Sequence, residues 1–323
     1  MNTVPALGID MAMASFVAGL WIDAKHVLTQ SFSNDGAGFK QLVRWLKSHG
    51  FGVMRVGIES TNTYGQALAQ WLHDRGFTVH ILNPEQTAYY ARCQGQRNKT
   101  DPADARSIAA YVAKHELTPW LPPSPEQLTL RQLTRVRQQL VETNKQLLNQ
   151  IRTAGPAAKQ HLQPVQKRIK QQLAAVEQDI RKHLNCFPLL KEQVHRLMTL
   201  KGVGLTTAAV LVAELPKITE QSDPRAICAW CGLTPKRYQS GKQEWRTFLS
   251  RRGNAYVRQA LYMPALVALR FNPLLHRFAQ RLLDAGKKKP AVIGAVAHKM
   301  LRILVGLLKH RTAFDPNWSA AKS

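Results

Sequence analysis

An α/β domain, then a helical hairpin, then a mainly helical C-terminal segment: this is the architecture the sequence predicts, and three observations carry it. Up to residue 118, short apolar runs alternate with stretches of helical spacing. A proline-rich stretch, "TPWLPPSPEQ" at residues 118–127, then interrupts the pattern. Beyond it, apolar residues recur at three- and four-residue intervals, the periodicity of helices.

In the first segment, "VPALGID" is an apolar run ending on Asp10, and "SFVAGLWID" is placed to pair beside it. "GFKQLVRWLKSHG" has helical spacing at Phe39, Leu42, Val43 and Leu46 and stops at Gly50. "MRVGIES" is a second apolar run, ending on Glu59. "YGQALAQWLHDRG" reads as a helix closed by Gly76, and "FTVHILNP" as a buried strand. A helix follows in "GQRNKTDPADARSIAAYVAKH", residues 95–115. Strands alternating with helices predict a largely parallel sheet.

The second segment, 119–195, carries Leu133, Val136, Leu140, Leu147 and Ile151 with Thr143 in the seam. A partner helix carries Val165, Ile169, Leu173, Val176, Ile180 and Leu184, so the two are expected to form an antiparallel coiled-coil hairpin. The third segment, 196–323, opens on "LMTLKGVGLTTAAVLVAEL". Its Lys201, Gly202 and Gly204 fit a helix-hairpin-helix turn, where glycines let backbone N–H groups approach a phosphate; a turn that merely packs reads the same. A polar, basic loop, "GLTPKRYQSGKQEW", and the helices "NAYVRQALYMPALVALRF" and "PAVIGAVAHKMLRILVGLLKH" complete it.

Charge narrows the function. The 323 residues hold 45 Lys+Arg against 20 Asp+Glu, a formal net charge of +25. Residues 1–118 account for 11 basic and 9 acidic side chains, so nearly all of the excess lies in the later segments. Such a field points to a polyanion, DNA or RNA above all. No apolar run approaches the ~20 residues needed to span a bilayer, and no secretory leader or disulfide framework is evident, so a cytoplasmic protein without membrane contact is expected. Cys228-Ala229-Trp230-Cys231 is a CxxC without a second Cys or His pair at zinc-binding spacing, and is expected to be buried packing.

The acids supply the chemistry. Asp10 and Glu59 end strands at the edge of an α/β sheet where sites form. Asp101 and Asp104 lie one turn apart at a helix start, beside Arg97 and Lys99. Both have an ordinary reading, since Asp101 before Pro102 can cap the helix with Asp104 as its third residue. Four converging carboxylates would repel one another unless cations sat among them, and two Mg²⁺ ions answer that need with hard, oxygen-seeking charge. A metal pair clamps the attacking and leaving oxygens of a phosphodiester.

The order Asp, Glu, Asp-x-x-Asp on strand, strand and helix resembles the metal-site arrangement of RNase-H/RuvC-like nucleases. "GID" at 8–10, "IESTNTYG" at 58–65, "NKTDPADA" at 98–105, "GLTPKRYQSG" at 232–241 and "RQALYMPA" at 258–265 occur together and in order. With them the whole chain resembles the insertion-sequence 110 family of DEDD recombinases, transposases guided by a bridge RNA. Piv-type DNA invertases share the architecture. The resemblance implies a metal-binding tetrad of Asp10, Glu59, Asp101 and Asp104, holding Mg²⁺ with Mn²⁺ as a substitute, and a serine nucleophile at Ser240. It further implies donor and target double-stranded DNA and a structured guide RNA as partners. A dimer to tetramer with active sites shared between subunits would follow. Lys236, Arg237, Lys242, Arg251 and Arg252, in the stretch that carries that serine, and Arg97 and Lys99 beside the acids, then suit nucleic-acid phosphate. An invertase, or a RuvC-like nuclease that uses water as nucleophile, is the alternative. Where the family often has a lysine three residues after the first aspartate, this chain has Met13.

Overall fold

The first strand's residues alternate between two burials. Leu7, Ile9 and Met11 face one hydrophobic cluster and Ala6 the other, so the sheet they begin is covered on both faces. A computed structural model describes residues 4–23, 26–59, 64–96, 100–236, 239–240, 243–244, 248–250 and 253–315. It divides into two compact units, Met1–Pro122 and Pro123–Ser323.

The first unit runs β1 (Ala6–Met11), β2 (Ser15–Trp21), β3 (Val27–Ser33), α1 (Gly36–Ser48), β4 (Arg55–Glu59), α2 (Gln66–His73), β5 (Thr78–Leu82), α3 (Pro84–Cys93) and α4 (Asp101–Lys114). Its strands form one sheet in the order β3-β2-β1-β4-β5. The expected largely parallel sheet is corrected here to a mixed one. β1–β2 and β2–β3 are antiparallel, whereas β1–β4 and β4–β5 are parallel. The reason is connection length. Only three residues separate β1 from β2, enough for a hairpin, while parallel neighbours need a crossover such as α1 or α2. Phe39, Leu42, Leu46, Leu68 and Leu72 of α1 and α2 cover one face, and Ile108, Ala109 and Val112 of α4 the other.

The second unit begins with α5 (Pro125–Thr153) and α6 (Pro156–Cys186), joined by two residues and therefore antiparallel neighbours. Arg137 pairs with Glu177 at 2.7 Å, and Gln166 donates to Asn144 across the same hairpin. The inward stripe keeps Leu147, Ile180 and Leu184 of the predicted seam and adds Leu130 and Thr134. Leu130, Thr134, Leu147, Ile180 and Leu184 are buried, whereas Val136 and Val165 are about half exposed and Thr143 is exposed. The two helices pair as an antiparallel hairpin, with Val136, Thr143 and Val165 turned towards solvent and polar contacts such as Arg137–Glu177 beside the apolar stripe.

The remaining elements are α7 (Pro188–Met198), α8 (Leu205–Glu214), α9 (Pro224–Trp230), four two-residue strands β6 (Pro235–Lys236), β7 (Gln239–Ser240), β8 (Gln243–Glu244) and β9 (Phe248–Leu249), then α10 (Ala255–Phe271), α11 (Pro273–Asp284) and α12 (Lys289–His310). Residues 208–214 of α8 are all buried, making it the centre of this unit's core. By length and composition α12 could cross a bilayer, contrary to the sequence expectation. Val292, Val296, Met300, Leu301, Leu304 and Val305 instead bury its apolar stripe in the same core.

Candidate active site

Helix α4 carries two of the acids over the sheet face that bears the other two, and glycines let it sit there. A Cβ on Gly8 of β1 would lie 2.1 Å from the Ala109 backbone nitrogen and 2.5 Å from the Ala105 carbonyl oxygen. On β4, a Cβ at Gly57 would meet a Val112 methyl at 2.4 Å. The helix therefore rests directly on sheet backbone at a distance only glycine permits. Gly8 pairs with Gly57 and Ile9 with Ile58 in the parallel register, so Asp10 and Glu59 stand one residue beyond, about 4.8 Å apart across the strands. Strand alternation puts both on the glycine face, beneath α4. Asp104 directly precedes Ala105, the residue seated on Gly8, and Asp101 lies one turn nearer the helix start. All four acids thus belong to one end of one sheet face.

Capping does not account for the helix pair. Thr100 is the N-cap of α4 and makes no side-chain cap bond, and Asp101 is already the first helical residue. Two of the acids have defined partners. Thr87 Oγ1, on α3, donates to Glu59 Oε2 at 2.9 Å. Gln96 Nε2 donates to Asp104 Oδ1 at 2.9 Å, while Ser107 Oγ bonds to Gln96 Oε1. Asn34 Nδ2 reaches the carbonyls of Ala12, Met13 and Tyr64, tying the loop after β1 to the segment that follows β4. Thr87, Gln96 and Asn34 carry no sequence signal, because each acts across 8 to 30 residues of chain. Among the described residues, no three His, Cys, Asp or Glu side chains already stand as a group that could hold a metal. The donor set itself is all-carboxylate and fits a hard divalent cation.

Nearby, His80 Nδ1 bonds to the Thr118 carbonyl at 3.0 Å, and burial lowers its pKa below the ordinary histidine value. It pairs in register with Gly57, two residues before the strand end that carries Glu59.

The serine lies in the second unit. β7 pairs with β8, Ser240 opposite Gln243, and β6 pairs with β9 in the same antiparallel sense. Ser240 therefore sits at the far end of a hairpin excursion between α9 and α10. The base of that excursion is closed. Arg258 Nη1 donates to Cys231 O at 3.0 Å and to Gly253 O at 2.9 Å, and Ser250 N donates to Thr234 O. Behind it, buried Glu214 accepts from Arg135 at 2.6 and 2.9 Å and from Asn254 at 2.9 Å. Asn254 in turn caps α10 through Val257 N. Arg258 belongs to the "RQALYMPA" stretch, whereas Glu214 gave no sequence clue.

Of the expected nucleic-acid contacts, Arg97, Lys99, Arg237, Lys242, Arg251 and Arg252 lie outside the described residues, as do the side chains of Lys236 and Ser240. Lys201 is exposed; Gly202, at φ +106°, packs towards Pro264 and Ala268, and Gly204 is the open N-cap of α8. The packing and phosphate readings of that turn therefore coexist. Cys228 and Cys231 are fully buried, with burial pushing the Cys228 thiol up to about 11 and Cys231 higher still, as expected for packing.

Comparison with known proteins gives two family matches. A DEDD transposase model of the IS110 group covers residues 7–154, and the model described as "Transposase IS116/IS110/IS902 family" covers 194–280. The chain is 28% identical over 317 residues to the pilin gene-inverting protein of Moraxella bovis, spanning 96% of this chain and 97% of that protein. It is 24% identical to the transposase for insertion sequence element IS1111A of Coxiella burnetii, over 59% of each. Among solved structures, RuvC of T. thermophilus in complex with Holliday junction substrate matches 33% of this chain and 90% of its own, at 12% identity and a TM-score of 0.26, too slight a likeness to bear on the fold. The two family models together span well over half of the sequence: the chain belongs to the IS110 family of transposases and is a DNA recombinase.

Proposed function

We propose that the protein cuts and rejoins DNA through Ser240, with Asp10, Glu59, Asp101 and Asp104 holding Mg²⁺, under guidance of a structured RNA. In this reading residues 1–118 form the metal-binding catalytic domain, 119–195 a linking hairpin and 196–323 the domain that carries the nucleophile. One observation supports the metal part: α4, which carries Asp101 and Asp104, is seated through glycine on β1 and β4, the strands that bear Asp10 and Glu59. When bound, the cations would offset the phosphate's charge and favour the attacking and leaving oxygens. Thr87 and Gln96 orient two of the acids, as outer partners orient metal ligands.

Ser240 Oγ attacks a DNA phosphorus, losing its proton to solvent or a neighbouring base. The phosphorus–oxygen bond to one sugar breaks, and that sugar leaves as a hydroxyl end. A phosphoserine link remains. A hydroxyl from another end reverses the step and restores Ser240, so the bond count is conserved and no ATP is required. The hairpin base closed by Arg258 holds the serine's two flanks together while its tip meets DNA. The strongly basic charge beyond residue 118 supports both DNA and a guide RNA, and the family resemblance supports an oligomer with shared sites.

The test uses protein, RNA transcribed from DNA flanking its coding region, and labelled donor and target duplexes with Mg²⁺, quenched in denaturant. A protein–DNA adduct that requires both the RNA and Ser240 is expected. Free cut ends that persist in Ser240→Ala would replace this mechanism with a water-using nuclease. The full-length likeness to pilin gene-inverting proteins favours a second reading, site-specific inversion. It would show as reversal of a DNA segment between two fixed sites without added RNA.

A further inference from the structure

Helices α10 to α12 and their flank, residues 255–315, hold 11 Lys and Arg against two acids, Asp284 and Asp315. Most of those cations spread over the surface, but three gather. Lys299 Nζ lies 4.3 Å from the Phe278 ring centroid, and Arg281 Cζ lies 5.6 Å from the same ring. Arg302 stands one turn beyond Lys299 on α12. No carboxylate lies within ion-pairing distance of any of the three among the described residues; Asp284, the nearest acid in sequence, accepts from Gln280. Like charges one turn apart repel, and the cation–π attraction of a single ring offsets only part of that cost. Partial burial and the charges of Arg281 and Arg302 lower the Lys299 pKa, and Arg302 with burial lowers that of His298. The cluster is an uncompensated cation site on a rigid helix pair.

We propose that Arg281 and Lys299, which flank Phe278, together with Arg302 one turn along α12, contact the phosphate backbone of duplex DNA. Duplex DNA carries one negative charge per ~1.7 Å of its axis, so cations one helical turn apart, about 4.5 Å along α12, can each neutralise a phosphate. The guanidinium groups suit paired phosphate oxygens and the ammonium a single one. The assignment rests on the DNA-recombining reading of the family and adds a site beyond the residues around Ser240. It also lies largely past residue 280, where the second family match ends.

The counterion-release slope of binding tests it. Full-length protein is titrated against a fluorescein-labelled DNA duplex of arbitrary sequence at several salt concentrations, alongside an RNA duplex of the same sequence. The triple variant Arg281→Gln, Lys299→Gln, Arg302→Gln keeps the side-chain stems over Phe278, and circular dichroism checks its fold. The expected result is a DNA slope of log K against log salt shallower by about 2 to 3, from roughly 0.9 per lost phosphate contact. A control triple on α1, Lys40→Gln, Arg44→Gln, Lys47→Gln, removes the same charge and should leave the slope within about one contact of wild type. An unchanged slope in the α11–α12 variant overturns the site, as does an equal change in the α1 control. A change confined to the RNA duplex overturns the DNA assignment. Wild-type protein without salt-dependent DNA binding would instead overturn the DNA-acting reading on which the site rests.

Discussion

Gly8→Ala isolates the contact that assembles the acidic edge. The added methyl would meet three backbone atoms of α4 between 2.1 and 2.7 Å, where ordinary contact begins at 3.4 Å. Backbone cannot rotate aside as a side chain does, so α4 must lift by about 1 Å, carrying Asp101 and Asp104 away from Asp10 and Glu59. Overpacking of this kind costs about 1–3 kcal/mol, which in a unit of this size lowers the melting midpoint by roughly 4–12 °C. A displacement near 1 Å in a catalytic constellation costs on the order of 10²-fold in rate. The assay is Mg²⁺-dependent cleavage of a labelled donor duplex, run well below the variant's melting midpoint so that unfolding does not contribute. Gly36→Ala is the comparison, because nothing lies within 4 Å of a Cβ there. If Gly8→Ala cleaves and melts like wild type, α4 is not held by this contact and the account of the site is wrong.

Three further outcomes follow from the same structure. Thr87→Val removes the donor to Glu59 and should raise the Mg²⁺ concentration for half-maximal cleavage about 10-fold or more while the maximal rate changes less; a metal titration reads this directly. Glu214→Ala leaves Arg131 and Arg135 without their buried partner and should cost about 3–5 kcal/mol in urea unfolding, with Glu214→Gln losing less. His80 and His298 have pKa values lowered by burial, so the unfolded chain binds more protons than the folded one between those values and about 6.5. Stability should therefore hold above pH ~6.5 and fall as pH drops through that window, and His80→Gln should flatten the decline.

Much of the first unit was legible because its signals are local. Asp10 and Glu59 end apolar runs, and Pro102 with the Asp101–Asp104 spacing marks a helix start one residue from where α4 begins. The elements missed are those whose burial is slight. β3 is an edge strand with only Phe32 buried, and α3 buries only Thr87, so neither carries a hydrophobic period to read. α11 is different: Leu275, Phe278, Ala279 and Leu282 recur at helical spacing and pack on the core, a local period that was readable in the sequence.

Sequence alone determined which residues carry charge and oxygen donors, and that the basic excess lies beyond residue 118, because composition and short-range spacing need no partner. Tertiary structure alone decided four things. It seated α4 on Gly8 and Gly57 and gave the acids their partners Thr87 and Gln96. It placed Arg137 and Asn144, in place of Val136 and Thr143, along the hairpin's contact line. It drew Glu214 to Arg135 and Asn254 across 79 and 40 residues. The physical reason is common to all four. A close approach, a buried ion pair and a helix-facing glycine depend on what arrives from elsewhere in the chain, and no window of neighbouring residues encodes that.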